Sequence, residues 1–272
     1  MMQSTVVQLN NGMFLPRIGL GVYQIPANAT QQAVTQAIDM GYRHIDTATL
    51  YGNEAGVGQA VRQSYIPRAE IVVTTKLWNQ DQGYDKTLRA FEQSRRLLGL
   101  DVVDLYLLHW PVPRLRLASW QALETLYQEG KVRAIGVSNF MIPHLQELFA
   151  HATIMPAVNQ IEVHPFFQQR EVRAFCQKHN IVVEAYSPLA KAERLKHPVI
   201  QRIAHEHKIQ AAQVMLAWGL QHGLVVLPKS SHKARQQANL ESINIRLSPA
   251  DMQALDNLDE GFVTDWDPRF AP

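Results

Sequence analysis

Val103-Asp104-Leu105-Tyr106-Leu107-Leu108-His109 is a short, nearly unbroken apolar run that stops on a histidine. A strand with one wet face alternates apolar and polar residues. A run without that alternation suits a strand buried on both faces, as in a parallel sheet covered by helices. The pattern recurs on either side of this run, at residues 18–21, 44–47 and 71–76 before it and at 134–138, 158–162, 181–186 and 224–228 after it, eight runs in all.

Helical spacing fills the gaps. Ala33, Val34, Ala37 and Ile38 share one face, as do Trp120, Leu123, Leu126 and Tyr127; Val172, Phe175 and Cys176 form another stripe, and Val214, Met215 and Trp218 a fourth. Strands alternating with helices need crossover connections and therefore a parallel sheet. Eight units leave a closed barrel or a large doubly wound open sheet, and the absence of any Pro/Gly/Ser-rich linker favours one (β/α)8 TIM barrel domain over residues 1–272. Two helical patterns, 198–207 and 211–221, separate the last two runs, so one is an addition to the repeat. A further pattern at 249–258 makes an extra C-terminal helix. Apolar pairs around Asn11-Gly12 read as an N-terminal β-hairpin with a type I′ turn, placed to plug the barrel bottom.

The composition is that of a soluble globular chain, 46% apolar and 18% charged with a formal charge of +2, too small to imply a nucleic-acid or membrane partner. No apolar stretch reaches the ~20 residues that span a bilayer, and the first residues lack a signal-peptide pattern. The chain is expected in the cytoplasm. The single cysteine, Cys176, excludes an internal disulfide and reads as a small buried hydrophobe. In His205-Glu206-His207 the histidines at i and i+2 leave a helix on different sides, so no metal is expected.

Chemically useful residues recur where the runs stop: Asp46, Lys76, His109, Ser138-Asn139, Tyr186-Ser187 and Lys229-Ser230, with Gln160 inside the sixth run. In a barrel such strand ends converge on one mouth. A dinucleotide site on an open sheet would instead carry Gly-x-Gly-x-x-Gly between strand and helix. Gly19-Leu20-Gly21 lacks the third glycine, and Gly56-Val57-Gly58 falls inside a helical pattern.

Across nearly its whole length the sequence resembles the aldo-keto reductase family. The resemblance is carried by Gly41-Tyr42-Arg43-His44-Ile45-Asp46-Thr47-Ala48 with Tyr51, Asn53 and Glu54; by Lys131-Val132-Arg133-Ala134-Ile135-Gly136-Val137-Ser138-Asn139-Phe140; and by Leu227-Pro228-Lys229-Ser230 with Arg235 and Asn239. Thr75-Lys76-Leu77-Trp78-Asn79 and Leu107-Leu108-His109-Trp110-Pro111 fit it too. The short loops look most like the bacterial branch of 2,5-diketo-D-gluconate and methylglyoxal reductases.

The resemblance implies a catalytic set of Asp46, Tyr51, Lys76 and His109. The chemistry suits it. A free tyrosine, with a pKa of about 10, holds a proton at neutral pH, and an adjacent ammonium is expected to lower that pKa toward working pH. Asp46 would hold the lysine, and His109 would orient the substrate oxygen.

The resemblance also implies NADPH. Ser138, Asn139 and Gln160 would bind the nicotinamide carboxamide, Tyr186 would stack on the ring, Ser187 and Leu189 would border the pyrophosphate, and Gly21 and Val22 belong to the same set. Lys229, Ser230, Ser231, His232 and Arg235, with Asn239, open a helix with several cations and no carboxylate, which favours a 2′-phosphate over a free ribose hydroxyl. Ala238 stands where many relatives carry a glutamate that contacts the adenine end. Tyr23, Trp78, Trp110 and Trp266, with His109, would line a pocket for a small-molecule carbonyl substrate, and Arg114 and Arg116 stand ready either for solvent or for acidic substrates. Two other readings stay open: an NAD-preferring alcohol or polyol dehydrogenase, and an NADPH-binding redox sensor without turnover. The resemblance implies a monomer.

Overall fold

The computed structural model describes residues 5–264 and 266–268. An antiparallel hairpin, β1 (Val6–Gln8) and β2 (Phe14–Pro16), precedes eight parallel strands: β3 (Leu20–Gly21), β4 (His44–Asp46), β5 (Val72–Leu77), β6 (Val103–Leu108), β7 (Val132–Ser138), β8 (Val158–Glu162), β9 (Val182–Tyr186) and β10 (Val225–Val226). Each strand pairs with the next in sequence, and parallel bridges Ile18↔Val226 and Gly21↔Lys229 join the last strand to the first. The sheet closes into the expected TIM barrel.

The closing strands are shorter than their apolar runs. Pro228 has no N–H to give, so toward β3 the ladder skips a bond between Gly19 N on Val226 O (3.0 Å) and Gly21 N on Pro228 O (3.1 Å), while toward β9 Leu227 N still donates to Ala185 O at 3.0 Å. A side chain at Gly21 would start 3.2 Å from Leu227 O, so glycine lets the seam draw tight.

Helices α1 (Ala27–Met40), α2 (Glu54–Gln63), α3 (Tyr84–Leu98), α4 (Arg116–Gln128), α5 (Ile142–Phe149) and α6 (Arg170–Lys178) alternate with the strands. Each lays its apolar stripe on the outer sheet face; α1 buries Ala33, Val34, Ala37 and Ile38, and Gly41 ends it in the left-handed region at φ +111°. Between β9 and β10 run both α7 (Pro198–His207) and α8 (Ala211–Gln221), followed by α9 (Lys233–Glu241) and α10 (Pro249–Asp256). In α7, His207 is hydrogen-bonded to Asp251 and Glu206 to Arg202, which itself lies 3.6 Å from Asp251. Cys176 is fully buried, and burial raises its thiol pKa to about 11.

Inside the barrel, residues two apart share the inner face. The lower interior is apolar: Val72, Leu105, Leu107, Ala134, Val158, Val225 and Leu227 pack with Leu9, Met13 and Leu15 of the hairpin. Asn10 and Asn11 donate to Pro156 O at 3.0 Å and Arg133 O at 2.9 Å, fastening the hairpin across the strand starts. Its turn differs from the type I′ expected. That turn needs positive φ at two residues, whereas Asn11 is not in that region and only Gly12 is, at φ +88°. With Gly12 N on Leu9 O (3.0 Å) and Leu9 N on Met13 O (2.8 Å), the loop is a three-residue turn ending on a left-handed glycine.

Helix α2 directly follows Tyr51 and sits flush on the end of α3. A Cβ at Gly58 would lie 1.9 Å from Leu98 O. Gly58→Ala is therefore expected to lower unfolding free energy by roughly 1–3 kcal/mol, the usual range for overpacking. A lower urea midpoint at unchanged slope would show this; an unchanged midpoint would mean that α2 is free to shift.

Candidate active site

The upper interior of the barrel is polar. β4 turns His44 and Asp46 inward and β5 turns Thr74 and Lys76; His109 follows β6. Lys76 is wholly buried, with Nζ donating to Asp46 Oδ1 at 2.7 Å, Thr47 O at 2.9 Å and Tyr51 OH at 3.4 Å. These three acceptors use all three ammonium hydrogens. Burial pushes the Lys76 pKa down, but the Asp46 carboxylate and the Tyr51 oxygen together outweigh it, so the pKa is raised and the ammonium stays charged.

Tyr51 comes from a single 3-10 turn, Thr49–Tyr51, that is pinned from several sides. Thr49 Oγ1 donates to Lys76 O at 2.9 Å. Asn53 Oδ1 accepts from Thr47 at 2.8 Å while its Nδ2 donates to Val22 O at 2.9 Å. Glu54 accepts from Thr75 at 2.6 Å. The signature residues Asn53 and Glu54 thus hold the turn that carries the phenol. The sequence expectation of a lowered phenol pKa is corrected: burial raises it, and Lys76 offsets only part of that rise. The consequence is a tyrosine that keeps its proton at neutral pH with a cation 3.4 Å away.

His109 is buried, and burial followed by the Lys76 charge drives its pKa well below 6.5, so the ring is neutral. Its Nδ1 has no hydrogen-bond partner among the described residues. Its ring meets Trp78 edge-on at 5.2 Å and Tyr51 at 5.9 Å, and Tyr23 lies 5.0 Å from Tyr51. A buried imidazole, a phenol and two further aromatic rings therefore meet at one mouth.

The expected cofactor residues gather beside them. Ser138 Oγ donates to Gln160 O at 2.8 Å; Asn139 Nδ2 donates to His109 O at 3.0 Å; Tyr186 OH donates to Asn139 Oδ1 at 2.9 Å. Gln160 Nε2 donates to Asp46 Oδ2 and to Glu184 Oε2, both at 2.9 Å. The backbone is left-handed at Asn139 (φ +63°) and Ser187 (φ +45°), strained conformations of the kind held at ligand sites. Val22 is fully buried, so its side chain belongs to the core, and Gly21 serves the seam.

On the far side of the mouth Lys229, Ser231, His232, Lys233 and Arg235 are exposed around the start of α9, while Ser230 and Asn239 are buried. Lys229, Lys233 and Arg235 pair with no carboxylate among the described residues. Unpaired cations around free helix N–H groups fit a phosphate dianion. Ala238 is buried, its carbonyl taken by Gln213 at 2.9 Å. Arg116 does not point to the pocket: its guanidinium holds Glu147 and Pro111 O.

Three features were missed in the sequence. Thr47 contributes a carbonyl, which no motif of side chains reveals. Glu162 accepts from Thr264 N at 2.9 Å and Oγ1 at 2.6 Å, anchoring the tail that brings Trp266 to 5.9 Å from Trp110. Glu184 is a fully buried acid on β9, and the signal was available: a charged residue in the interior of an apolar run.

Against known proteins, the profile of the Aldo/keto reductase family matches residues 17–260. The chain belongs to that family. It is 51% identical over 271 residues to the 9,11-endoperoxide prostaglandin H2 reductase of Trypanosoma cruzi (strain CL Brener), covering 98% of this chain and 96% of the relative. It is 46% identical over 255 residues to the glyoxal reductase of Bacillus subtilis (strain 168), covering 93% and 92%. Among solved structures, a Gox0644 variant in complex with NADPH is 44% identical and superposes with a TM-score of 0.94, covering the whole of both chains. This aldo/keto reductase has no described helix long and apolar enough to cross a membrane.

Proposed function

We propose that this enzyme reduces small aldehydes and ketones to alcohols with NADPH, dicarbonyls such as methylglyoxal and keto-sugar acids such as 2,5-diketogluconate being the substrates to try first. The observation that carries this reading is the buried Lys76 ammonium, held by Asp46 at 2.7 Å and reaching Tyr51 OH at 3.4 Å. Bound NADPH supplies the hydride to the carbonyl carbon. Tyr51 gives its proton to the oxygen, and Lys76 stabilises the phenolate left behind. Neutral His109 orients that oxygen from a ring nitrogen, and the aromatic wall keeps water from the reacting atoms. Asp46 keeps the lysine charged through each turnover.

Ser138, Asn139 and Gln160 would hold the carboxamide, Tyr186 the ring, Ser187 and Leu189 the pyrophosphate, and Lys229, Ser230, Ser231, His232, Arg235 and Asn239 the 2′-phosphate and its neighbourhood. Tyr23, Trp78, Trp110 and Trp266 would form the substrate walls. The similarity to a glyoxal reductase supports the dicarbonyl substrates, and an NADPH complex of a similar fold supports the cofactor. We further infer a single-domain cytoplasmic monomer.

The test is NADPH consumption, followed by absorbance, with methylglyoxal and a 2,5-diketo sugar acid. Oxidation of NADPH by either supports the reading; tight NADPH binding with no turnover across a wider carbonyl panel would favour the sensor reading. Arg235→Ala is expected to weaken NADPH by roughly ten- to a hundredfold, the weight of a charge-assisted phosphate contact, and to leave NADH unchanged. Titration calorimetry would read it. Equal losses for both nucleotides, or tighter NADH binding in the wild type, would remove the 2′-phosphate assignment.

A further inference from the structure

Below the Lys76–Asp46 pair lies a second buried acid that the proposed chemistry does not use. Glu184 is wholly inaccessible, and its Oε2 accepts from Gln160 Nε2 at 2.9 Å, the nitrogen that also donates to Asp46 Oδ2 at 2.9 Å. Its other oxygen, Oε1, has no hydrogen-bond partner among the described residues and lies 3.7 Å from His44 Nε2. His44 is itself taken by Thr74 Oγ1 at 2.9 Å and is held neutral by burial, its pKa lowered to about 4. Val225, the register partner of Glu184 on β10, carries no charge. The charges around the group are therefore Asp46 on β4 and Lys76 on β5.

One buried cation faces two buried carboxyl groups. Asp46, in contact with Lys76 at 2.7 Å, takes the charge, and a second unpaired carboxylate in this dry interior would be strongly disfavoured. Glu184 keeps its proton instead, on Oε1, since Oε2 is accepting. Burial first, and then repulsion from Asp46, push its pKa up to about 8.

The amide of Gln160 is thereby fixed. Both its hydrogens are committed to carboxyl oxygens, so only its Oε1 is left to meet a ligand. A carboxamide can approach that atom only with its amino group. We propose that Glu184 is a positioning residue of this reductase: as a neutral carboxylic acid it holds the Gln160 amide against Asp46 in the one orientation that accepts from a nicotinamide carboxamide. The proposal rests on the NADPH reading above. It also implies an alkaline limit. Loss of the Glu184 proton places a second negative charge in the network around Lys76, which holds the Tyr51 proton more tightly and slows its transfer.

The experiment compares wild type with Glu184→Gln, which keeps an uncharged acceptor, and Glu184→Leu, which removes it. Calorimetry measures NADPH and 2′,5′-ADP, the latter carrying the phosphates but no nicotinamide. Steady-state rates with methylglyoxal are taken from pH 6.5 to 9.5. Glu184→Leu is expected to bind NADPH about tenfold more weakly, one hydrogen-bond's worth, and 2′,5′-ADP as wild type does. Glu184→Gln should recover NADPH binding and turn over within about threefold of wild type at pH 6.5. Wild-type kcat should fall about tenfold as pH rises through about 8, while Glu184→Gln stays level. An alkaline fall identical in both proteins, or unchanged NADPH affinity in a folded Glu184→Leu, overturns the proposal. Should Glu184→Leu not fold, the pH profiles of the other two decide. Wild type that binds 2′,5′-ADP but gains nothing from the nicotinamide half overturns the positioning role alone; binding of neither nucleotide overturns the cofactor reading and the proposal together.

Discussion

Tyr51→Phe is expected to bind NADPH as wild type does and to reduce methylglyoxal about a hundred- to ten-thousandfold more slowly, the usual contribution of a positioned general acid. The substitution deletes one oxygen and leaves the ring packing intact, with Tyr23 at 5.0 Å and His109 at 5.9 Å. Lys76 loses a 3.4 Å contact but keeps Asp46 and Thr47 O, so the buried charge remains compensated. No other described hydroxyl accepts from the Lys76 ammonium, and neutral His109 is a weak acid. Loss of turnover with retained binding would therefore point to the proton and not to the fold. Equal rates in the two proteins would mean that Tyr51 is not the donor.

Lys76→Met should be the most damaging single change to stability. It leaves the Asp46 carboxylate buried with only Gln160 to meet its charge, and breaking a buried ion pair from one side removes about 3–5 kcal/mol. The double substitution Asp46→Asn with Lys76→Met should recover most of that loss, because no charge is stranded, while turnover stays abolished. Urea denaturation of both single variants and the double variant closes the cycle. A single Lys76→Met with the wild-type midpoint would mean that solvent reaches Asp46, and the account of a dry interior would fail.

Much of the barrel was legible because burial on both faces leaves a plain mark on a strand. Runs such as 103–109 end where the barrel wall opens, and the residue at that point is the inward-facing one at the mouth. His109, Asp46, Lys76 and Ser138 could be read in this way before any geometry was known. The limits were also physical. The turn at Asn11-Gly12 depends on φ at one residue, which either hairpin type would allow from the same letters. The phenol pKa depends on how deeply Tyr51 is sunk, and no spacing encodes depth. Long-range pairings escaped altogether: Glu162 meets Thr264 across 102 positions, and Gln160 meets Asp46 across 114. Arg116, a candidate for acidic substrates by type alone, proved to be spoken for by Glu147.

The hairpin has a practical consequence for handling the protein. With Leu9, Met13 and Leu15 seated in the floor of the barrel, β1 enters on the face opposite the aromatic doorway formed by Trp78, Trp110 and Trp266. A tether attached ahead of β1 leaves from the rear and presents the open mouth to solution. One attached just behind Trp266 emerges at the threshold itself, beside Trp110. Anchored to an electrode or a bead just ahead of β1 or just behind Trp266, the same reductase should behave as two different catalysts, one unobstructed and one partly gated by its own anchor.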